Sequence, residues 1–117
     1  MSAAARHPVL PAAVLEVVAA RFRLLGAASR LSIVNAVMNG PLTMSQLEAA
    51  TGLEQSNLSR RVSELEQGGC VRRCRDGRHL VVEIADPALG RLCALVCGSL
   101  EAQAERGHAA FRALRSR

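Results

Sequence analysis

Between Gln55 and Ser63 the polar residues are of two kinds, short hydrogen-bonding groups and guanidinium forks: Gln55, Ser56, Asn57, Ser59, Arg60, Arg61 and Ser63. Such groups read base edges in a major groove and hold phosphate oxygens. Residues 70–80 add Arg72, Arg73, Arg75 and Arg78 against a single acid, Asp76. A one-signed cluster of that kind, with His79 beside it, suits a phosphate backbone or the negative potential of a minor groove. Thiols form the third set. Cys93 and Cys97 are four apart, so on a helix they share a face with about 6 Å between β-carbons. Two thiolates at that spacing suit a soft ion such as As(III), Cd(II) or Hg(II), or reaction with an oxidant or a reactive sulfur species. An intrahelical disulfide would be strained, so a third ligand or a cysteine from elsewhere would help. Cys70 and Cys74 lie about 13 Å apart if extended, at ~3.3 Å per residue, too far to chelate one ion. Each set has a plainer alternative: a solvated helix face, a hairpin kept soluble by charge, and cysteines that merely pack.

These groups need elements to hold them. Residues 1–9 show no pattern and are expected to form a loose tail. Leu10, Val14, Val17 or Val18, Phe22 and Leu25 recur at helical spacing behind Pro11, until Gly26 interrupts. A second helix is expected over 28–39, burying Leu31, Val34, Val37 and Met38. Thr43 with Gln46 three residues on gives a capping-box pattern for a short third helix that ends near Gly52. The fourth, 55–67, carries Leu58, Val62 and Leu65 on one face, and together they make a helix-turn-helix layout. After Gly68 and Gly69 the period changes to alternation. Two strands around Asp76-Gly77, read as the centre of a type I′ turn, predict a β-hairpin with Leu80, Val82, Ile84 and Val71 facing the helices. On that reading Cys74 faces His79.

Asp86-Pro87 is a helix start, with Asp as the cap and Pro in the first turn. From there Leu89, Leu92, Val96, Leu100, Ala104, Phe111 and Leu114 make an apolar stripe over 87–115. A domain of this size cannot cover so long a stripe from within. A second copy of the chain is the expected partner, giving a homodimer built on this helix and on the first.

Composition narrows the functional classes. The 117 residues allow one domain, 10–117, behind the tail, and all 15 basic residues are arginine, for a net charge of +5. A basic surface seeks polyanions. With Phe22 and Phe111 the only aromatic residues, no platform exists for stacking unpaired bases, which points to duplex rather than single-stranded nucleic acid. No apolar run suits a bilayer or a secretory leader, so no membrane partner is expected and a cytoplasmic setting, in which the cysteines rest as thiols, is. No CxxC motif, convergent acid–base set or phosphate-binding loop suggests an enzyme, and no cofactor is required.

Residues 24–34, Leu-Leu-Gly-Ala-Ala-Ser-Arg-Leu-Ser-Ile-Val, resemble the opening helix junction of the ArsR/SmtB family of winged helix-turn-helix repressors. Residues 52–62, Gly-Leu-Glu-Gln-Ser-Asn-Leu-Ser-Arg-Arg-Val, followed by Leu65 and Gly69-Cys70-Val71, resemble its recognition helix and exit. Asp76-Gly77-Arg78 and Ala85-Asp86-Pro87 resemble its wing and final helix start. The resemblance implies a mainly α fold of about five helices with a small two-stranded wing. It also implies a homodimer that binds operator DNA and is released by a metal, a metalloid or a thiol-reactive species. It places Gln55, Ser56, Asn57, Ser59 and Arg60 on the DNA-reading positions. The chain departs from the family at Ala27-Ala28, where Asp-Pro is common, and at Glu54, where a better helix cap is common. Met44-Ser45-Gln46 replaces a Cys-x-Cys sensor, and His108 stands without the acid–His pairing of the other known site. Cys93 and Cys97 remain as the candidate sensors. Two alternatives are a dimeric winged-helix regulator with no sensor and a winged-helix module that binds another protein.

Overall fold

Proline suits a helix start because its fixed φ is already helical and its missing N–H is one the first turn leaves unbonded. In the computed structural model, which describes residues 7–115, Pro11 immediately precedes helix α1, Ala12–Leu25, and its carbonyl accepts from Leu15 N at 3.0 Å. Residues 1–6 of the expected tail lie outside the described residues. Arg30 takes up the carbonyls exposed at the far end of α1: Nε donates to Leu24 O at 2.5 Å and Nη2 to Arg23 O at 3.2 Å. A cation there also suits the negative end of the helix dipole.

Helix α2, Ala28–Ala36, is shorter than expected because the Met38 N–H turns to the Asn35 carbonyl at 3.3 Å, tightening the chain into a turn through Asn39. Its buried side is Ile33, Val34 and Val37. Leu31, expected in the core, is 38% exposed, and Met38 is half-buried; the inward arc is rotated towards Ile33. A two-residue strand, β1, Leu42–Thr43, leads directly into α3, Met44–Thr51. There the capping box forms as the sequence predicts: Gln46 N donates to Thr43 Oγ1 at 3.2 Å, and Thr43 N to Gln46 Oε1 at 2.9 Å. Gly52, at φ 74°, ends α3 in the left-handed conformation that glycine adopts without strain. Helix α4, Gln55–Gln67, follows; neither its cap residue, Glu54, nor Ala27 before α2 supplies a side-chain cap.

The wing is a three-stranded antiparallel sheet in the order β1-β3-β2, with β2 at Val71–Asp76 and β3 at His79–Ile84. The expected two strands are joined by β1, whose two residues are too few to show a period. The hairpin register also differs from expectation by one residue. Asp76 pairs with His79, so Gly77 and Arg78 form the turn, and Cys74 faces Val81 rather than His79. Centring a type I′ turn on Asp76-Gly77 would require positive φ at the aspartate. The observed turn needs it only at Gly77, φ 65°, as in the II′ arrangement. Val71 and Val82 are buried and Ile84 half-buried, whereas Leu80, expected to face the helices, is exposed near the tip opposite Arg75.

One core therefore runs through Ile33, Val34, Leu47, Leu58, Val62, Leu65, Val71, Val81 and Val82, with Cys70 fully buried among them as a small apolar side chain. The chain divides into two compact units, one ending at Ile84 and one starting at Ala85. In the second, the Asp86 carboxylate accepts from Ala88 N at 2.9 Å ahead of α5, Ala88–Arg115. At 1.5 Å per residue this 28-residue helix is about 42 Å long. Leu95, Val96, Leu100, Phe111 and Leu114 are exposed along it, as Val14, Leu15, Val17, Val18 and Phe22 are on α1. Among the described residues, no helix is long and apolar enough to cross a membrane.

Candidate nucleic-acid interface

Leu58, Val62 and Leu65 are fully inaccessible to solvent, and this fixes the rotation of α4 about its axis. Gln55, Ser56, Ser59 and Arg60 are consequently exposed, while Asn57, Arg61 and Ser63 sit half-buried at the margins of the helix. A recess of about 520 Å³ at the start of α4 is lined by Glu54, Ser56, Asn57, Arg60 and Arg61. Asn57 Oδ1 and Arg61 Nε are buried and have no hydrogen-bond partner among the described residues.

The arginines divide into two groups. Arg61 pairs with Glu64 at 3.0 Å, Arg72 with Glu83 at 2.6 Å and Arg73 with Glu66 at 2.5 Å. Arg60, Arg75 and Arg78 are exposed and make no ion pair among the described residues. His79 is exposed beside them at the wing tip. Glu64 also accepts from Arg30 Nη1 at 3.2 Å, and hydrogen bonding from Arg61, followed by the charges of Arg61 and Arg30, holds its carboxyl below the usual carboxylate range against the opposing effect of burial. Arg21 Nη2 donates to Gly68 O at 2.8 Å, so α1 through Arg21 and α2 through Arg30 each hold the end of α4. Leu24 lies so close to Gly68 that an added Cβ there would collide with its Cδ2.

Arg73 was counted only as one charge of the basic cluster and Glu66 was not singled out from the sequence, yet together they join the wing to α4. Arg73 Nη1 donates to Glu66 Oε1 at 2.5 Å and its backbone N–H to Glu66 Oε2 at 3.2 Å. Nη2 reaches Ser63 Oγ at 3.2 Å and Ser59 O at 3.4 Å. The sequence held a signal: the two residues lie on either side of Gly68-Gly69, so a reversal of direction there can bring them together.

The thiols are spread over both units. Cys74 donates to Glu83, which raises its pKa and, together with Arg72, lowers that of Glu83. Cys93 is half-buried and Cys97 exposed on α5. Cys97 Sγ–H donates to Glu101 Oε1 at 3.3 Å, and this bond, reinforced by the carboxylate charge, raises the thiol pKa. Among the described residues no three His, Cys, Asp or Glu side chains gather closely enough to hold a metal ion.

Helices α3 and α4 with the wing define a winged helix-turn-helix chain, and the matches to known proteins agree. Residues 25–79 match the model of the MarR family. The HTH-type transcriptional regulator NmtR of Mycobacterium tuberculosis is 36% identical over 75 residues, 64% of this chain, and the chain spans 62% of that relative's length. The homodimeric winged helix-turn-helix DNA-binding domain Mb0332 of Mycobacterium bovis, a possible ArsR-family regulator, superposes with a TM-score of 0.72 at 29% identity, covering 81% of this chain and 88% of that one. The antimony-specific transcriptional repressor AntR gives a TM-score of 0.72 at 26% identity over 86% and 90% of the two chains. The chain is similar in sequence and fold to these winged helix-turn-helix regulators, among them a possible ArsR-family member. The matched family and these neighbours are transcriptional regulators rather than enzymes.

Proposed function

We propose that two copies of this chain bind duplex DNA and repress transcription, each inserting α4 into a major groove with its wing tip on the adjoining backbone. The observation that carries this reading is the complete burial of Leu58, Val62 and Leu65, which turns Ser56, Ser59 and Arg60 outward as one polar face. Gln55, Ser56, Asn57, Ser59 and Arg60 are the proposed base and phosphate readers, and Arg75, Arg78 and His79 the wing contacts. Arg61 and Ser63 are engaged within the chain, by Glu64 and Arg73 respectively, which makes them supports for that face. Self-association is favoured by the exposed apolar residues of α1 and α5 and by the homodimeric state of Mb0332.

Cys93 and Cys97 are the proposed sensor, one helical turn apart on α5, and the antimony-specific neighbour gives a thiophilic metalloid as the inducer class to test first. At this position a single chain offers two thiols, the pKa of one raised by Glu101, so a bound ion would need a further donor from the second chain or from solution. Selection of duplexes from a random pool, followed by fluorescence anisotropy across a salt series, tests the repressor reading. Tight binding that weakens steeply with salt supports it. Binding that is absent or insensitive to salt would instead leave a protein-interaction module. Titrating the complex with As(III), Cd(II) or a persulfide donor tests the sensor separately, with release by a coupling of about 1–3 kcal/mol expected. An unchanged affinity would remove the sensor and leave the repressor.

A further inference from the structure

The wing and the recognition helix are separated in sequence by Gly68-Gly69, a joint with little intrinsic stiffness. Cys70 N donates to Leu65 O across it at 2.9 Å, and four further contacts tie β2 to α4: three from the Arg73 guanidinium and one from the same residue's backbone N–H. We infer that Arg73 is a positioning residue for DNA binding: held by Glu66, it fixes the wing relative to α4 so that Arg75 and Arg78 meet the backbone while α4 occupies the groove. This rests on the proposed DNA-binding reading and adds a residue pair that touches no base or phosphate in it.

The geometry favours that role over direct phosphate contact. The Arg73 guanidinium makes its three donor contacts on α4, at 2.5, 3.2 and 3.4 Å, and is largely covered, with 23% of the side chain exposed. Glu66 presents both carboxylate oxygens to the same residue, one to the side chain and one to the backbone N–H. A carboxylate so used sits beside a surface proposed to meet polyanions, where its charge alone opposes binding. Its presence there is accounted for if its service to the wing outweighs that repulsion. The tip lies only two residues beyond Arg73 along β2, so an error in its angle is carried directly to Arg75.

The inference can be tested by the sign of one effect. Glu66→Gln removes a negative charge, and long-range electrostatics alone would tighten DNA binding. If the clamp matters, binding weakens instead. One lost wing contact per protomer is worth about eightfold at about 0.1 M salt, or about 60-fold for two protomers, given a salt-slope of ~0.9 per phosphate. The assay is anisotropy with a labelled duplex selected from the random pool by the wild-type chain, alongside a thermal melt of each variant. In the Glu66→Gln background, Arg78→Ala is expected to lose most of its effect, because the tip is already displaced. The charge-exchanged pair, Arg73→Glu with Glu66→Arg, keeps the net charge and is expected to recover much of the affinity lost by Arg73→Glu alone, which a purely electrostatic or phosphate-contacting arginine would not show. Tighter binding by Glu66→Gln, or full additivity with Arg78→Ala, would overturn the positioning role while leaving the DNA-binding reading intact. A wild-type chain that bound no duplex would overturn both.

Discussion

Salt dependence of DNA binding turns the arrangement of six arginines into a number. Arg60, Arg61, Arg72, Arg73, Arg75 and Arg78 all lie on α4 or the wing, and counting charge alone would assign each a phosphate. Three of them are instead neutralised within the chain by Glu64, Glu83 and Glu66. On the proposed reading that leaves Arg60, Arg75 and Arg78, hence six phosphate contacts if two chains bind together. With about 0.9 counterions released per contact, the slope of log K against log salt should be close to −5, about half the −11 that all six arginines per chain would give. Arg60→Ala removes two contacts per dimer, so the slope should become shallower by about 1.8 and affinity at about 0.1 M salt should fall about 60-fold. Arg61→Ala should leave the slope where it was, because that guanidinium is spent on Glu64. Anisotropy titrations between about 50 and 200 mM salt resolve these differences. A slope near −11, or an Arg60→Ala slope equal to the wild type, would refute the division into paired and unpaired arginines.

Three further outcomes are expected. The Glu64 carboxyl lies below its ordinary range in the folded chain because Arg61, burial and Arg30 act on it in that order, with burial opposing the arginines; its stabilisation is complete above the unfolded carboxylate value and disappears as the pH falls through the folded one. Melting midpoints measured from neutral pH into that acid window should therefore fall more steeply for the wild type than for Glu64→Gln. Thr43→Ala removes the acceptor for Gln46 N and should cost about 1 kcal/mol, lowering the midpoint by roughly 4–8 °C for a unit of this size, with Thr43→Ser close to neutral. Because Glu101 raises the Cys97 pKa, Glu101→Gln should speed alkylation of Cys97 by iodoacetamide at mildly alkaline pH, as followed by mass spectrometry; an unchanged rate would show that the carboxylate does not control the thiol.

Where several local signals agreed, the sequence was readable. Leu58, Val62 and Leu65 recur at three and four residues and are all fully buried, and Thr43 with Gln46 forms the expected capping box. Asp86 caps the approach to α5 as its place before Pro87 suggests. What escaped depended on partners distant in the chain. β1 exists only because Leu42 and Thr43 find Val82 and Val81, and nothing in two residues announces a strand. The turn register hung on whether Asp76 or Arg78 shared the centre with Gly77, and backbone strain settled it in favour of Arg78. Leu31 was expected on the inner side of α2, but packing buries the equally apolar Ile33 instead. The candidate interface was legible as a set of residue types, but the fate of each arginine was not, since charge counting cannot show which carboxylate lies 3 Å away.

Thr43 belongs to two structures at once: it is the last residue of β1, hydrogen-bonded into the wing opposite Val81, and the cap on which α3 begins. No spacer separates the sheet from the helix-turn-helix at that seam. Length changes are consequently absorbed unequally around the hairpin. Residues added at Gly77-Arg78 extend the reach of the tip and leave the rest in place, whereas a single residue inserted after Thr43 must break either the strand pairing or the cap. A family of such chains would therefore diversify its grip on DNA through the length of its fingertip, while the seam at Thr43 keeps a fixed length.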